Sequence, residues 1–152
     1  MPALVPVILE PSFVTGAGDG VCAITDWGDL YCWGDRSAQG APEVHTPTPV
    51  DTLPDSVLAV TLGGQHICAR TPADEHFCWG ENLYGQRGVA QATAAPNRLE
   101  GVDGAGRLVA GWSHTCVLGA NGAVECWGDN TTGALGNGQA FQPRPTLTAP
   151  NY

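Results

Sequence analysis

The side chains best equipped for chemistry in this 152-residue chain are its six cysteines. Cys22 and Cys32, Cys68 and Cys78, and Cys116 and Cys126 each stand ten positions apart. Each second cysteine is followed by Trp-Gly, at Trp33-Gly34, Trp79-Gly80 and Trp127-Gly128. Cysteines can close disulfides, stay as buried thiols or hold a metal. Zinc sites usually bring two cysteines within two to four residues, and that spacing is absent, so no metal is expected. His66 and His114 stand two places before a first cysteine and could serve as general bases or ligands. Their recurrence at one repeat position favours a structural histidine whose ring nitrogens bond the turn backbone. Asp35, Glu81 and Asp129 share one repeat slot, where capping a turn is the simpler role. Asp26, Asp29 and Glu43 are scattered over other turns. A glycosidase needs two carboxylates flanking one bond, and nothing marks such a pair. No Ser-His-Asp order, phosphate loop or calcium-loop spacing occurs. No catalytic residue, no cofactor and no enzymatic activity are expected.

The tryptophans divide into two groups. Trp33, Trp79 and Trp127 alternate with a cysteine on a strand, which suggests packing between repeat units rather than sugar stacking. Trp27 lies at a turn apex, and Trp112 stands where the sister copies have Gly18 and Gly64. A large aromatic placed on a loop is a candidate binding contact.

These residues sit in an internal repeat, and its elements recur in order. A short apolar strand (Phe13–Gly16, Leu58–Gly63, Arg107–Gly111) leads to a strand bearing the first cysteine. A turn follows, then a strand bearing the second cysteine, then a polar stretch rich in Gly, Asn and Gln. A Pro-bearing strand closes each unit, at Pro47–Val50, Pro96–Leu99 and Pro143–Leu147. Proline suits an edge strand, where a missing donor is tolerated. No window holds the 3.6 period over ten residues, so almost no helix is expected. Glycine and proline together exceed a fifth of the chain, which fits short strands joined by turns.

The turns between the cysteines select their pairing. Asp26-Trp27-Gly28, Pro72-Ala73-Asp74 and Ala120-Asn121-Gly122 each lie midway between two cysteines. A three-residue hairpin loop places a type I turn before a residue in the left-handed region. Gly28 and Gly122 fit that place freely, and Asp74 tolerates it. Centring the hairpins there sets each cysteine opposite its mate, within disulfide reach. Three bridges follow: Cys22–Cys32, Cys68–Cys78 and Cys116–Cys126. They argue for an oxidising compartment, extracellular, at the cell surface or periplasmic. No leader is visible at the apolar start, Met1–Leu9.

The pattern Gly-x-x-His-x-Cys, then Cys-Trp-Gly-Asp/Glu-Asn, then Gly-x-x-Gly, then a Pro-bearing strand resembles the repeat of the regulator of chromosome condensation, RCC1. It is carried by Gly63–Cys68 with Cys78–Gly88, and by Gly111–Cys116 with Cys126–Gly136. The first copy departs from it, with Gly20 in place of histidine and Gly40 lacking a second glycine. Nearly the whole chain takes part, as one domain over residues 1–152 with repeats at about 6–50, 51–99 and 100–150. The resemblance implies an all-β fold of four-stranded propeller blades, in a ring of seven. A paired cysteine in every copy resembles bacterial exported members. The family's exchange activity on a small GTPase cannot be matched residue by residue and is not carried over.

Three blades form an open arc, an incomplete ring with two unburied flanks. Two arcs could close a six-bladed ring as a homodimer, another chain could supply the missing blades, or the chain is a fragment. Pro6–Pro11 resembles the closing segments Pro49–Pro54 and Pro145–Pro150, which favours self-association. The formal charge of -9 argues against nucleic acid, and no apolar run is long enough to span a membrane as a helix. The expected function is a non-enzymatic protein-binding or scaffolding module. A structural repeat segment of a larger surface protein and a carbohydrate-binding propeller are the alternatives.

Overall fold

The computed structural model describes residues 11–35, 42–90, 95–102, 104 and 106–139. Among them there are strands and turns and no helix. The first sheet is an antiparallel meander of β1 (Pro11–Ala17), β2 (Gly20–Thr25), β3 (Leu30–Gly34) and β4 (Val44–Pro49). The second repeats it with β5 (Ala59–Leu62), β6 (His66–Arg70), β7 (His76–Gly80) and β8 (Asn97–Arg98). The third contains β9 (Arg107–Ala110), β10 (His114–Leu118) and β11 (Val124–Gly128). The closing strand expected at Pro143–Leu147, most of the segment Pro6–Pro11, the segment Pro145–Pro150, and Gly40 lie outside the described residues. Pro47 and Pro49 fall on β4, the outer edge of its sheet, which needs no further donor.

The hairpins form as the turn chemistry dictates. Gly28, Asp74 and Gly122 all have positive φ, and Asp74 is the one non-glycine residue in that region among those described. Each closes a turn by donating its N–H to a carbonyl three residues back: Thr25, Thr71 and Gly119. The register then opposes Cys22 with Cys32, Cys68 with Cys78, and Cys116 with Cys126. The paired Cα atoms stand 4.1, 4.2 and 4.1 Å apart, the close spacing of a non-hydrogen-bonded pair, and all three disulfides are closed.

Neighbouring sheets pack face to face by one rule. The face of the first sheet bearing Cys22, Ile24, Leu30 and Cys32 meets the face of the second bearing Val60, Leu62, Ile67, Ala69 and Trp79. The opposite face of the second sheet, with Cys68 and Cys78, meets Leu108, Val117 and Trp127 of the third. Because side chains alternate across a strand, the cysteine and the tryptophan that follows it point to opposite faces. Each blade thus offers a disulfide to the next blade and a tryptophan to the one before. The inner strands β1, β5 and β9 lie side by side along the axis of the arc.

The glycine of each Cys-Trp-Gly phrase has a backbone role. Gly34, Gly80 and Gly128 take positive φ as their strand ends. The following N–H, of Asp35, Glu81 or Asp129, then reaches the carbonyl of Asp19, Gln65 or Ser113. The same bond in all three copies ties the exit of the third strand to the turn between the first two.

Candidate functional site

Two of the candidate side chains, Trp27 and Trp112, stand on the loops of the arc. Trp27 occupies the tip of the β2–β3 hairpin and is 86% exposed. Its support is rigid. The Gly28 carbonyl accepts the Val57 N–H at 2.8 Å, which ties the hairpin tip to the linker between the first two blades. A Cβ on Gly28 would stand 2.6 Å from Ser56 Cβ, so the two segments are in close contact. Leu58 is exposed beside this tip, in a shallow depression that also includes Ser12, Ile24 and Ser56. Asp26 lines it, and Asp29, Asp51 and Asp55 line an adjoining depression that shares Gly28, Ser56 and Val57. Cations farther along the same end are engaged. Arg70 pairs with Asp74, and Arg98 with Glu75 and Glu100.

Trp112 lies in the β9–β10 turn and is 68% exposed. Its indole rests on the backbone of the second blade. A Cβ on Gly64 would stand 2.6 Å from Trp112 Cδ2, and the Gly64 N–H donates to the Trp112 carbonyl at 3.0 Å. In an antiparallel meander, the first and second turns of a sheet lie at opposite ends. Trp27 and Trp112 are therefore on opposite rims, separated by the length of a strand, about 17–20 Å. A single loop rim holds one of them, not both.

His66 stands inside the structure rather than on a rim, and His114 is half-buried. His66 is fully buried, and its Nε2 lies 2.7 Å from Thr115 Oγ1 on the third blade. Thr115 donates its own proton to the Gln86 carbonyl at 2.8 Å, so it accepts from His66 Nε2–H. Trp127 Nε1 donates to the same carbonyl at 3.0 Å. Blades two and three are thus joined by a polar chain, His66–Thr115–Gln86–Trp127. The bond goes to a side chain of the next blade, not to turn backbone. Burial, the nearby His114 ring and Arg87 lower the His66 pKa from 6.5 to about 4, so the ring is neutral near pH 7.

The Gly-x-x-His spacing has a steric cause. A Cβ on Gly111 would collide with the His114 ring, and one on Gly63 with the His66 ring. The glycine makes room for the imidazole that folds back over its own turn. The first blade has Gly20 in place of the histidine, and there the facing position is Ala17. The residue equivalent to Gly63 and Gly111 is thus Ala17, one place beyond the glycine that ends the Phe13–Gly16 strand.

Sequence reasoning missed the loop anchors. Asn82 Oδ1 accepts the Arg87 N–H at 2.9 Å, and Asn130 Oδ1 accepts the Leu135 N–H at 3.0 Å. Each amide is the knot of a loop after Trp-Gly. Arg87 is buried, with its guanidinium bonded to the carbonyls of Gly80 and Ala95 and to Asn97 Oδ1. The Asn of the repeat motif was the visible signal, but only the loop geometry shows what it holds. Asp129 caps its own turn, accepting the N–H and hydroxyl of Thr131.

A cavity of about 540 Å³ runs along the inner strands, lined by Phe13, Thr15, Thr61, Arg107 and Val109 among others. It brings together apolar side chains and arginines, with no acid, histidine or free thiol among its lining residues. Among the described residues, no group of three or more His, Cys, Asp or Glu is placed to hold a metal ion.

Residues 107–139 match the family model of the regulator of chromosome condensation (RCC1) repeat. Human WBSCR16 is similar in structure, with a TM-score of 0.78 and 21% identity over 94% of this chain and 38% of that one. Yeast RCC1 (Prp20), from its complex with Kap60, gives 0.80 and 19% identity over 91% of this chain and 36% of that one. The ectodomain of the Physcomitrella patens receptor kinase CR4 gives 0.54 and 27% over 76% of this chain and 28% of that one. No curated protein sequence matches the chain. Fold and repeat together define the class: this is an arc of RCC1-type β-propeller blades. The chain spans less than two fifths of the length of each of these structures.

Proposed function

We propose that the chain is a non-enzymatic protein-binding module of an oxidising compartment, extracellular, cell-surface or periplasmic. Trp27 is its principal contact, and it self-associates through the flanks of its arc. The observation that carries the binding role is the exposure of Trp27 on a hairpin closed by the Cys22–Cys32 bridge and tied to the next blade. A large aromatic held on a rigid support gives up little conformational entropy on binding, which is the character of an interface anchor. The acids around it suit a basic partner surface. RCC1-fold relatives offer precedent for protein binding: yeast RCC1 is seen bound to Kap60, and Prp20p is described with Gsp1p and histones. The disulfides favour the oxidising compartment.

The test is affinity capture from native extract with the wild-type chain, Trp27→Ala and Trp112→Ala. A protein retained by wild type and by Trp112→Ala, but lost with Trp27→Ala, supports the reading. Retention indifferent to Trp27 contradicts it. Binding to a glycan array, abolished by Trp27→Ala with no protein captured, would point to the carbohydrate alternative.

A further inference from the structure

The two blade interfaces within the chain specify what the outer flanks are built to meet. In each, a tryptophan from one blade and the disulfide of the blade before it are buried in the same apolar cluster: Trp79 with Cys22–Cys32, and Trp127 with Cys68–Cys78. Ile24 and Leu30, beside the first bridge, are 2% and 4% exposed because the second blade covers them. Their equivalents on the third blade, Leu118 and Val124, are 46% and 61% exposed. They share a face with Val109 and with the Cys116–Cys126 bridge, which is only half-buried while the other two bridges are buried. At the other end of the arc, Trp33 is half-buried where Trp79 and Trp127 are buried.

We infer that the Trp33 face of one copy seats on the Cys116–Cys126 face of a second copy, in the register of the two internal interfaces. The inference rests on the self-association proposed above and names its contact. The Trp33 indole joins a cluster with Cys116–Cys126 as Trp127 does with Cys68–Cys78. Its Nε1 then donates to the carbonyl of Ala134, which corresponds to the Gln86 carbonyl that receives Trp127. Ala134 is exposed, whereas Gln86 is buried under the neighbouring blade, so the acceptor on the third blade is open. The occupant is a second copy because the Trp-bearing face complementary to this flank is one that the chain itself carries. Such a contact is heterologous: it joins two different faces, and it closes a ring only where the rotation returns on itself. Two copies joined twice give six blades.

The experiment uses the oxidised chain, with Leu118→Asp and Val124→Lys as two independent flank variants. Light scattering gives the mass over a range of concentrations. Brief treatment with a mild reductant followed by alkylation gives the order in which the bridges open. The inference predicts an assembly whose dissociation constant rises at least about tenfold in either variant, since a charge is then buried in an apolar contact. It also predicts that Cys116–Cys126 resists reduction in the assembly and opens first on dilution. An assembly that persists in both folded variants, with Cys116–Cys126 equally reducible at all concentrations, overturns this contact and leaves self-association standing. A folded monomer at every concentration overturns self-association itself. If one variant fails to fold, the other and the wild-type reduction order still decide.

Discussion

His66 carries an ionisable ring into the seam between two blades, and acid should find it. Its folded pKa of about 4 lies below the ordinary 6.5. Between those values the unfolded chain holds the extra proton, so acidification favours unfolding, and the loss is complete once the pH is below about 4. A shift of that size corresponds to about 3 kcal/mol at most. The Asp74 carboxyl is held below its usual range by the Arg70 hydrogen bond, so it loses its contribution only at lower pH. Chemical denaturation at pH 7 and pH 4.5 should show a marked drop for wild type and a smaller one for His66→Gln. Equal drops would remove His66 as the cause. The steric pairing of glycine and histidine gives a second test. Gly111→Ala should destabilise by about 1–3 kcal/mol, because the added Cβ overpacks the His114 ring. In a His114→Gly background the same change should be close to neutral, as the native pair Ala17 and Gly20 suggests. The non-additivity in a double-mutant cycle is the readout. The Gly-x-x-His spacing was visible in the sequence. Its cause was not, because the ring folds over a turn three residues away. The Thr115 and Gln86 partners were hidden for a different reason: their bonds cross between blades, and no local periodicity encodes that.

Among the elements, the hairpin is the unit that local chemistry specified best. A type I turn ending at Gly28, Asp74 or Gly122 leaves one register, and that register opposes the cysteines. What the turns could not say is which face of each hairpin is covered. That depends on the neighbouring sheet, and it separates three bridges that look alike in sequence. Each closes a loop of the same length, so the chain-entropy gain is nominally the same, about 2–3 kcal/mol. Replacing Cys22 and Cys32 by alanine should cost more than replacing Cys116 and Cys126, because the first pair also fills a buried interface. Urea denaturation of the two double variants checks this, and equal costs would contradict the assigned faces. The opposite placement of Trp27 and Trp112 was likewise beyond the sequence reading. Both are loop tryptophans in a linear pattern, and only the alternation of turns puts them on different rims.

For the molecule as a whole, stability is a sum over blades and the seams between them. Two seams are filled within the chain, each by a cluster that includes a tryptophan of one blade and the disulfide of the blade before it. The flank of Leu118 and Val124 repeats the apolar surface of a filled seam without its cover. Leu118 and Val124 are already about half covered, so burying the remainder contributes on the order of 1 kcal/mol each. The blade count and the repeat order were legible from the cysteine spacing. The polarity of the arc, disulfide face forward and tryptophan face back, required the packed sheets. The most direct test of that polarity is the mass of the oxidised chain in solution, measured by light scattering on the wild type and on Leu118→Asp. The account predicts twice the chain mass for the wild type and a folded single chain for the variant. A wild-type chain that remains folded and single at high concentration would contradict it.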